Sequence, residues 1–392
     1  PGHHREPPRR DRRCTSRDRV VSVRAEALID LATLRANIEH LAGPACGDPG
    51  IERMVVVKAD AYGHGQGEVA RTVRDMGVPW LGVALPSEAL TLRADGDRGR
   101  VLAWLYAPGD PGLQDCVASD IDLGVGSLGM LDDVVRAADG AGSVARIHLK
   151  VDTGLGRGGC PPALWEQLLD RAMREPRVNV VGIWSHLASA DVPDSPDTDA
   201  QVATFERALA QSVAAGVDPE VRHLASSGAA LARPDTRYDL VRIGIAAYGI
   251  APGPAIDMGP LRPVMALRAS VATTKRVPAG HGASYNLTWR APRETTLALV
   301  PVGYADGVPR TARKAHVAIA GRRHPVVGRI AMDQVIVDVG DDPVQPGDDV
   351  IVWGPGHTGE PTATEWASWD DTIGYEIVTR VGPRVPRRYV EG

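Results

Sequence analysis

Only four of the chain's 44 basic residues are lysines: Lys58, Lys150, Lys275 and Lys314. A chain that otherwise chooses arginine keeps lysine where chemistry calls for an amine. An amine can lose its proton and bond covalently to a carbonyl carbon, whereas a guanidinium stays charged. Lys58 ends the apolar run Met54–Val57 and opens Lys-Ala-Asp-Ala-Tyr-Gly-His-Gly, residues 58–65. At the end of a buried strand an ammonium loses hydration, its pKa falls and a nucleophile is exposed. Most strand-end lysines are simply solvated; the rarity of lysine and the Gly-His-Gly that follows set Lys58 apart. Lys150 opens a second segment that runs through Asp152-Thr153-Gly154 to Arg157. A planar guanidinium such as that of Arg157 suits a carboxylate through paired hydrogen bonds. Further polar candidates close apolar runs: His186, His223 with Ser226-Ser227, Arg242 in Val241–Gly249, and Tyr285 in Gly282–Asn286. No His or Cys cluster has metal-ligand spacing, so no metal is expected.

Residues 58–65 resemble the pyridoxal-phosphate lysine motif of the alanine racemase family, usually Lys-Ala-Asn-Ala-Tyr-Gly-His-Gly, with Asp60 in place of the asparagine. The resemblance runs from about Arg24 to Tyr389. It implies that Lys58 binds pyridoxal 5'-phosphate covalently and serves as one racemisation base, with Tyr62 at the phosphate. Lys150 matches a lysine that is often carbamylated in the family and positions Arg157 beside the cofactor's ring hydroxyl and the substrate carboxylate. His186 is implied to tune the second base, and Asp191 to lie in the substrate's access channel. Ser227 and the backbone N–H groups of Gly244 and Ile245 are implied at the phosphate, where glycine permits close approach. Arg242 is implied to face the pyridine nitrogen, oriented by His223. Because arginine keeps its proton, that nitrogen stays unprotonated and the ring is a weaker electron sink, which favours returning the proton over transamination.

The second base implied is Tyr285, delivered by the partner subunit of a head-to-tail homodimer. A tyrosine of pKa about 10 is a poor base at neutral pH, so Arg157 or protonated His186 is expected to lower it. Tyr304 and Arg310 are implied to line the access channel. The N–H of Met332 is implied to bind the substrate carboxylate, with Asp333 supporting its loop. Four departures stand out: Ser226 for the usual asparagine, Asn286 for glycine, Ala331 for cysteine, and Pro383 where some members have a tyrosine at the pocket wall. Ser226, Ala331 and Pro383 leave open a racemase for serine or another small amino acid. A barrel-type pyridoxal-phosphate decarboxylase and a non-catalytic cofactor-binding protein are the remaining alternatives. Ser284-Tyr285 and Gly328–Gln334 argue against the first, and the extra domain carrying Tyr285 against the second.

The elements that must position these residues read as α/β. Apolar runs at Met54–Lys58, Trp80–Ala84, Val101–Leu105, Ile121–Val125, Arg146–Val151, Val180–Ser185, Val221–Ala225 and Tyr238–Ile243 alternate with amphipathic stretches such as Gly67–Met76 and Gln201–Ala215. That pattern predicts a (β/α)8 TIM-like barrel, with chemistry at the C-terminal ends of its strands. Beyond Ile250 Pro and Gly become frequent. Strand-like runs follow at Met265–Thr273, Thr295–Val302, Val317–Ile319, Gln334–Val339 and Asp349–Trp353, predicting a mostly β C-terminal domain. The expected division is a disordered leader over 1–22, the barrel over 23–255, its first segment free to pack on the C-terminal domain, and the β domain over 256–392.

Composition narrows the function classes. The 392 residues are 43% hydrophobic, ample for two cores, and the net charge of −5 gives no reason to expect nucleic acid or an anionic membrane as partner. No apolar run reaches the length of a membrane span. The four cysteines, Cys14, Cys46, Cys116 and Cys160, form no disulfide framework, which points to a reducing, cytoplasmic setting. The Arg- and Pro-rich first residues lack the apolar core of a secretory signal.

Overall fold

The computed structural model describes residues 24–43 and 50–392; the expected leader over 1–22, Cys14 and Cys46 lie outside the described residues. After β1 (Ala25–Asp30) come eight strands: β2 (Glu52–Val56), β3 (Trp80–Val83), β4 (Arg100–Ala103), β5 (Asp122–Val125), β6 (Ala145–Lys150), β7 (Val178–Trp184), β8 (Val221–His223) and β9 (Leu240–Ile243). They form one parallel sheet in the order β8-β7-β6-β5-β4-β3-β2-β9. Its two edges meet: Arg242 N–H donates to Ala225 O at 3.0 Å and Asp239 N–H to Arg222 O at 3.1 Å, closing the barrel. β3, β5 and β9 are buried along their whole length, as expected of strands covered on both faces. Each expected barrel run overlaps one of these strands. The first is shifted by two residues from the expected run: β2 begins at Glu52 and ends at Val56, so Lys58 lies beyond it.

Helices pack outside the barrel. Gln66–Asp75 buries Val69, Ala70, Thr72 and Val73 on one face, and Pro196–Ala214 buries Phe205, Ala208 and Leu209. Inside, glycines make room for large neighbours. A Cβ on Gly124 would lie 2.9 Å from Trp104 Cβ, and one on Gly82 would lie 2.7 Å from Met54 Sδ.

The second half holds β10 (Met265–Ser270), β11 (Thr273–Val277), β12 (Gly282–Ala283), β13 (Trp289–Arg290), β14 (Thr295–Val300), β15 (His316–Ile319), β16 (Arg322–Val327), β17 (Val335–Gly340), β18 (Asp349–Trp353) and β19 (Arg387–Val390). A nine-stranded sheet runs β11-β14-β17-β16-β15-β18-β10-β1-β19. β1 lies antiparallel to β10 and parallel to β19, so the first and last strands sit side by side. The expected run Met265–Thr273 covers β10 and only the first residue of β11, which is a separate strand because it pairs with β14 whereas β10 pairs with β1 and β18. Two short helices, Ala363–Trp369 and Gly374–Thr379, precede β19. Among the described residues no helix is long and apolar enough to cross a membrane.

Candidate active site

Immediately after Lys58 the chain makes a left-handed helical turn: Ala59, Asp60, Ala61 and Tyr62 have φ of 52, 56, 53 and 53°. For L-residues this costs about 1–2 kcal/mol each. Local hydrogen bonds hold it. Ala61 N–H donates to Val57 O at 3.0 Å, Gly65 N–H to Asp60 O at 2.9 Å, and Gln66 N–H to Asp60 Oδ1 at 2.8 Å. His64, fully buried, places Nδ1 2.9 Å from Tyr62 O and packs its ring 4.5 Å from that of Tyr248. The C-terminal segment clamps the turn from outside: Arg387 Nε donates to Gly63 O at 3.0 Å, and a Cβ on Gly63 would lie 2.3 Å from Val378 O. The turn starts the Lys58 side chain at the C-terminal mouth of the barrel, with Nζ 5.9 Å from the rings of Tyr62 and Trp104. Burial, then the charge of Arg157, holds this amine below the ordinary lysine range against the opposing pull of Glu88.

Arg242 lies inside the mouth, 4% exposed. Its Nη1 is 3.1 Å from His223 Nδ1, and its Nη2 donates to Ser185 O and Leu224 O, both at 2.9 Å, and approaches His186 Nδ1 at 3.2 Å. None of these partners is a carboxylate, and burial lowers the guanidinium to about 9. His186 is held well below its ordinary value by burial and then by Arg242, so it is neutral at physiological pH. This favours Arg157 over His186 as the cation beside the second base. Lys150, the last residue of β6, sits with Nζ 4.6 Å from the Trp184 ring centroid. Burial, Arg242 and Arg157 push its amine down to about 8.

Across the mouth, Ser227 Oγ accepts from Gly244 N–H at 2.9 Å and Ala246 N–H at 3.3 Å. A Cβ on Gly244 would lie 2.5 Å from the Tyr62 hydroxyl. Ser227, Gly244 and Tyr62 thus form a cradle that only glycine leaves open. Lys58, Tyr62, His186, Ser227, Arg242 and Gly244 border one cavity of about 610 Å³, which Ile245 and Ser226 also line. Among the described residues four cations line it, Lys58, Lys150, Arg157 and Arg242, and no carboxylate does. That donor set fits a ligand with more than one anionic group, as a phosphorylated cofactor joined to an amino acid would be.

Tyr285, Met332 and Tyr304 are not in this lining. They lie on the β domain, 65%, 52% and 39% exposed. The backbone gathers them: Ser284 Oγ donates to Arg329 O at 2.5 Å, Tyr304 N–H to Ala331 O at 3.1 Å, and Ala305 N–H to Met332 O at 3.0 Å. Arg384 pairs with Asp333 at 2.7 Å on the same loop. Arg310 is exposed. Asp191 acts on Tyr375, whose hydroxyl is pushed up to about 12 by burial and then by that carboxylate. Sequence reasoning missed Trp104, Trp184, Tyr106 and Tyr375, all of which line the cavity. A signal for two of them existed: in a chain only 4% aromatic, Trp104 and Trp184 close barrel strands.

Two family models match the chain: alanine racemase, N-terminal domain, over residues 29–252, and alanine racemase, C-terminal domain, over 264–389. The alanine racemase of Thermobifida fusca is 52% identical over 369 residues, covering 93% of this chain and 98% of that protein. The crystal structure of alanine racemase from D-cycloserine-producing Streptomyces lavendulae superposes with a TM-score of 0.91 at 49% identity, covering 94% of this chain and 98% of that one. The alanine racemase structure from Streptomyces coelicolor gives 0.90 at 49% identity, covering 94% and 98%. The chain belongs to the alanine racemase family. Its departures from the alanine racemase pattern now have locations. Asn286 has φ 61°, ψ 11°, a left-handed conformation that asparagine tolerates best after glycine. Ser226 borders the cavity, so the missing amide is a change in its wall. Pro383 is exposed and outside the lining, so it does not form the cavity wall as expected, whereas Tyr375 borders the cavity.

Proposed function

We propose that this alanine racemase interconverts L- and D-alanine with pyridoxal 5'-phosphate held in the barrel-mouth cavity, using Lys58 and the partner subunit's Tyr285 as acid–base groups on opposite faces of Cα. The observation that carries the reading is the cavity itself: a desolvated lysine on a strained turn, among four cations without a carboxylate. The chemistry the bound cofactor supplies is electron withdrawal from Cα, which makes its hydrogen removable. Lys58 holds the cofactor and moves the proton on one face. Tyr62, Ser227 and the N–H groups of Gly244 and Ile245 hold the phosphate. Arg242 faces the ring nitrogen as a cation, kept in place by His223. Arg157, positioned by Lys150, takes the substrate carboxylate together with the N–H of Met332. Tyr285 moves the proton on the other face, with Arg157 as the nearby charge. Asp333 and Tyr304 support the loop and channel around it. The homodimer follows from this reading, since Tyr285 is exposed and outside its own chain's cavity.

The test is conversion of L-alanine to D-alanine by the protein purified with the cofactor. Lys58→Ala is expected to lower the rate by at least roughly 10²–10⁴-fold and to abolish the absorbance of lysine-bound cofactor. Bound cofactor without racemisation of alanine would overturn the substrate and turn attention to Ser226.

A further inference from the structure

Below Arg242 a line of buried polar groups descends through the barrel, and the functions assigned above use only its top. His223 Nε2 lies 2.9 Å from His148 Nδ1, and His148 Nε2 lies 3.1 Å from Asp122 Oδ2. His223, His148 and Asp122 are all 0% exposed. They come from β8, β6 and the first residue of β5, so the line passes from the catalytic mouth toward the opposite end of the barrel. There Asp122 accepts from Arg100 at 2.7 Å and from Arg146 Nε at 3.1 Å.

The two ends of the line dictate its direction. A guanidinium has only donors, so His223 Nδ1 accepts from Arg242. The His223 proton is then on Nε2, which donates to His148 Nδ1. His148 in turn carries its proton on Nε2 and donates to Asp122, whose carboxylate has only acceptors. A second proton on either ring would set donor against donor. The fold makes room for this line: a Cβ on Gly182 of β7 would lie 2.1 Å from His148 Nδ1. Aromatic walls keep it dry. Trp80 meets His148 edge-on at 5.5 Å, and Trp184 stacks on His223 at 5.5 Å. A polar line in such surroundings is costly to bury unless every member is satisfied, and here each bond depends on the next.

We propose that Asp122 and His148, with Gly182 making space for them, are positioning residues for racemisation: they lock His223 as a hydrogen-bond acceptor and so hold the Arg242 guanidinium in one orientation at the cavity floor. Without His148 the His223 ring is free to change tautomer, present an N–H to Arg242 and push the guanidinium aside. The proposal rests on the reading that Arg242 faces the cofactor ring.

Two measurements test it, and they separate its failure from a failure of that reading. Nitrogen-15 NMR of ring-labelled histidine, in the wild-type protein with and without cofactor, is expected to show His148 and His223 both neutral with the proton on Nε2. A proton on Nδ1, or on both nitrogens, of either ring overturns the relay whatever the enzyme's reaction. The second measurement compares His148→Leu with His148→Gln in enzyme loaded equally with cofactor. Glutamine offers a carbonyl to accept and an amide to donate in the same order; leucine offers neither. His148→Leu is expected to lose roughly 10- to 100-fold in kcat with KM little changed, and His148→Gln to recover most of it. A wild type that racemises alanine while both variants match it leaves the function standing and overturns the positioning role.

Discussion

At the scale of single residues, the site works by taking amines out of water. Lys150 shows how far this goes. With its amine at about 8, about 10% is unprotonated at pH 7, against about 0.04% for an ordinary lysine near 10.4. An unprotonated amine beside Arg242 and Arg157, with no carboxylate in the cavity lining among the described residues, is suited to take up carbon dioxide and become a carbamate anion. Protein equilibrated with carbon-13 bicarbonate is expected to give one carbamate carbon resonance that disappears in Lys150→Arg; a resonance that persists in the variant assigns the carbamate elsewhere and sinks the prediction. The sequence flagged Lys150 by the scarcity of lysine and by the Asp-Thr-Gly segment that follows it. It could not show the Trp184 face beneath the amine, because that contact joins β6 to β7 across 34 residues of chain. Tyr375 was illegible for the same reason: it comes from a short helix after the β domain and reaches a cavity built by the barrel.

At the scale of elements, the left-handed turn at Ala59–Tyr62 has no signature in local propensity, which is calibrated on right-handed and extended backbone. Its conformation is imposed by what surrounds it: His64 beneath, Arg387 and Val378 outside. Ala59 is exposed, so glycine there removes Cβ strain without opening a cavity. Ala59→Gly is expected to stabilise the fold by up to about 1 kcal/mol, the relief of left-handed strain less the added entropy of the unfolded chain. The looser turn should hold Lys58 less well, so kcat is expected to fall severalfold while the denaturation midpoint rises. A variant both less stable and unchanged in kcat would show that the turn is neither strained nor coupled to Lys58. The strands tell the converse story. The eight barrel runs were legible because strands buried on both faces must be continuously apolar. β16 escaped because Arg322-Arg323-His324-Pro325 reads as a turn, although hydrogen bonding to β15 makes it a strand. β1 and β19 escaped because their partners are far away in sequence.

At the scale of the whole molecule, the buried His64 and His223 and the half-buried His186 make the fold acid-sensitive. Burial lowers His64 to about 4, and holds His186 and His223 well below the ordinary range. A histidine lowered on folding binds its proton more readily in the unfolded chain, so its stabilisation is complete above about 6.5 and is lost as pH falls toward the folded value. For His64 the loss between 6.5 and about 4 is roughly 3 kcal/mol. The urea midpoint is expected to drop between pH 7 and pH 5, and an unchanged midpoint would mean these rings take up protons as readily in the folded chain as in the unfolded one. The assembly poses the larger question, because one chain's cavity contains Lys58 but not Tyr285. Ser284 at φ 59°, ψ −171° and Asn286 and Leu287 at φ 61° and 47° hold Tyr285 out from the β domain in backbone that costs of order 1–3 kcal/mol at Ser284 alone. Strain of this kind persists where a side chain must be presented to something. If Lys58 of one chain works with Tyr285 of the other, two inactive variants repair each other. In a dimer of one Lys58→Ala chain and one Tyr285→Phe chain, one site keeps both groups and the other loses both. Random re-association of equal amounts makes half of the dimers mixed, so activity should return to about a quarter of wild type from near zero in either variant alone. If instead both groups served the site of their own chain, every site in the mixture would lack one of them, and mixing would restore nothing.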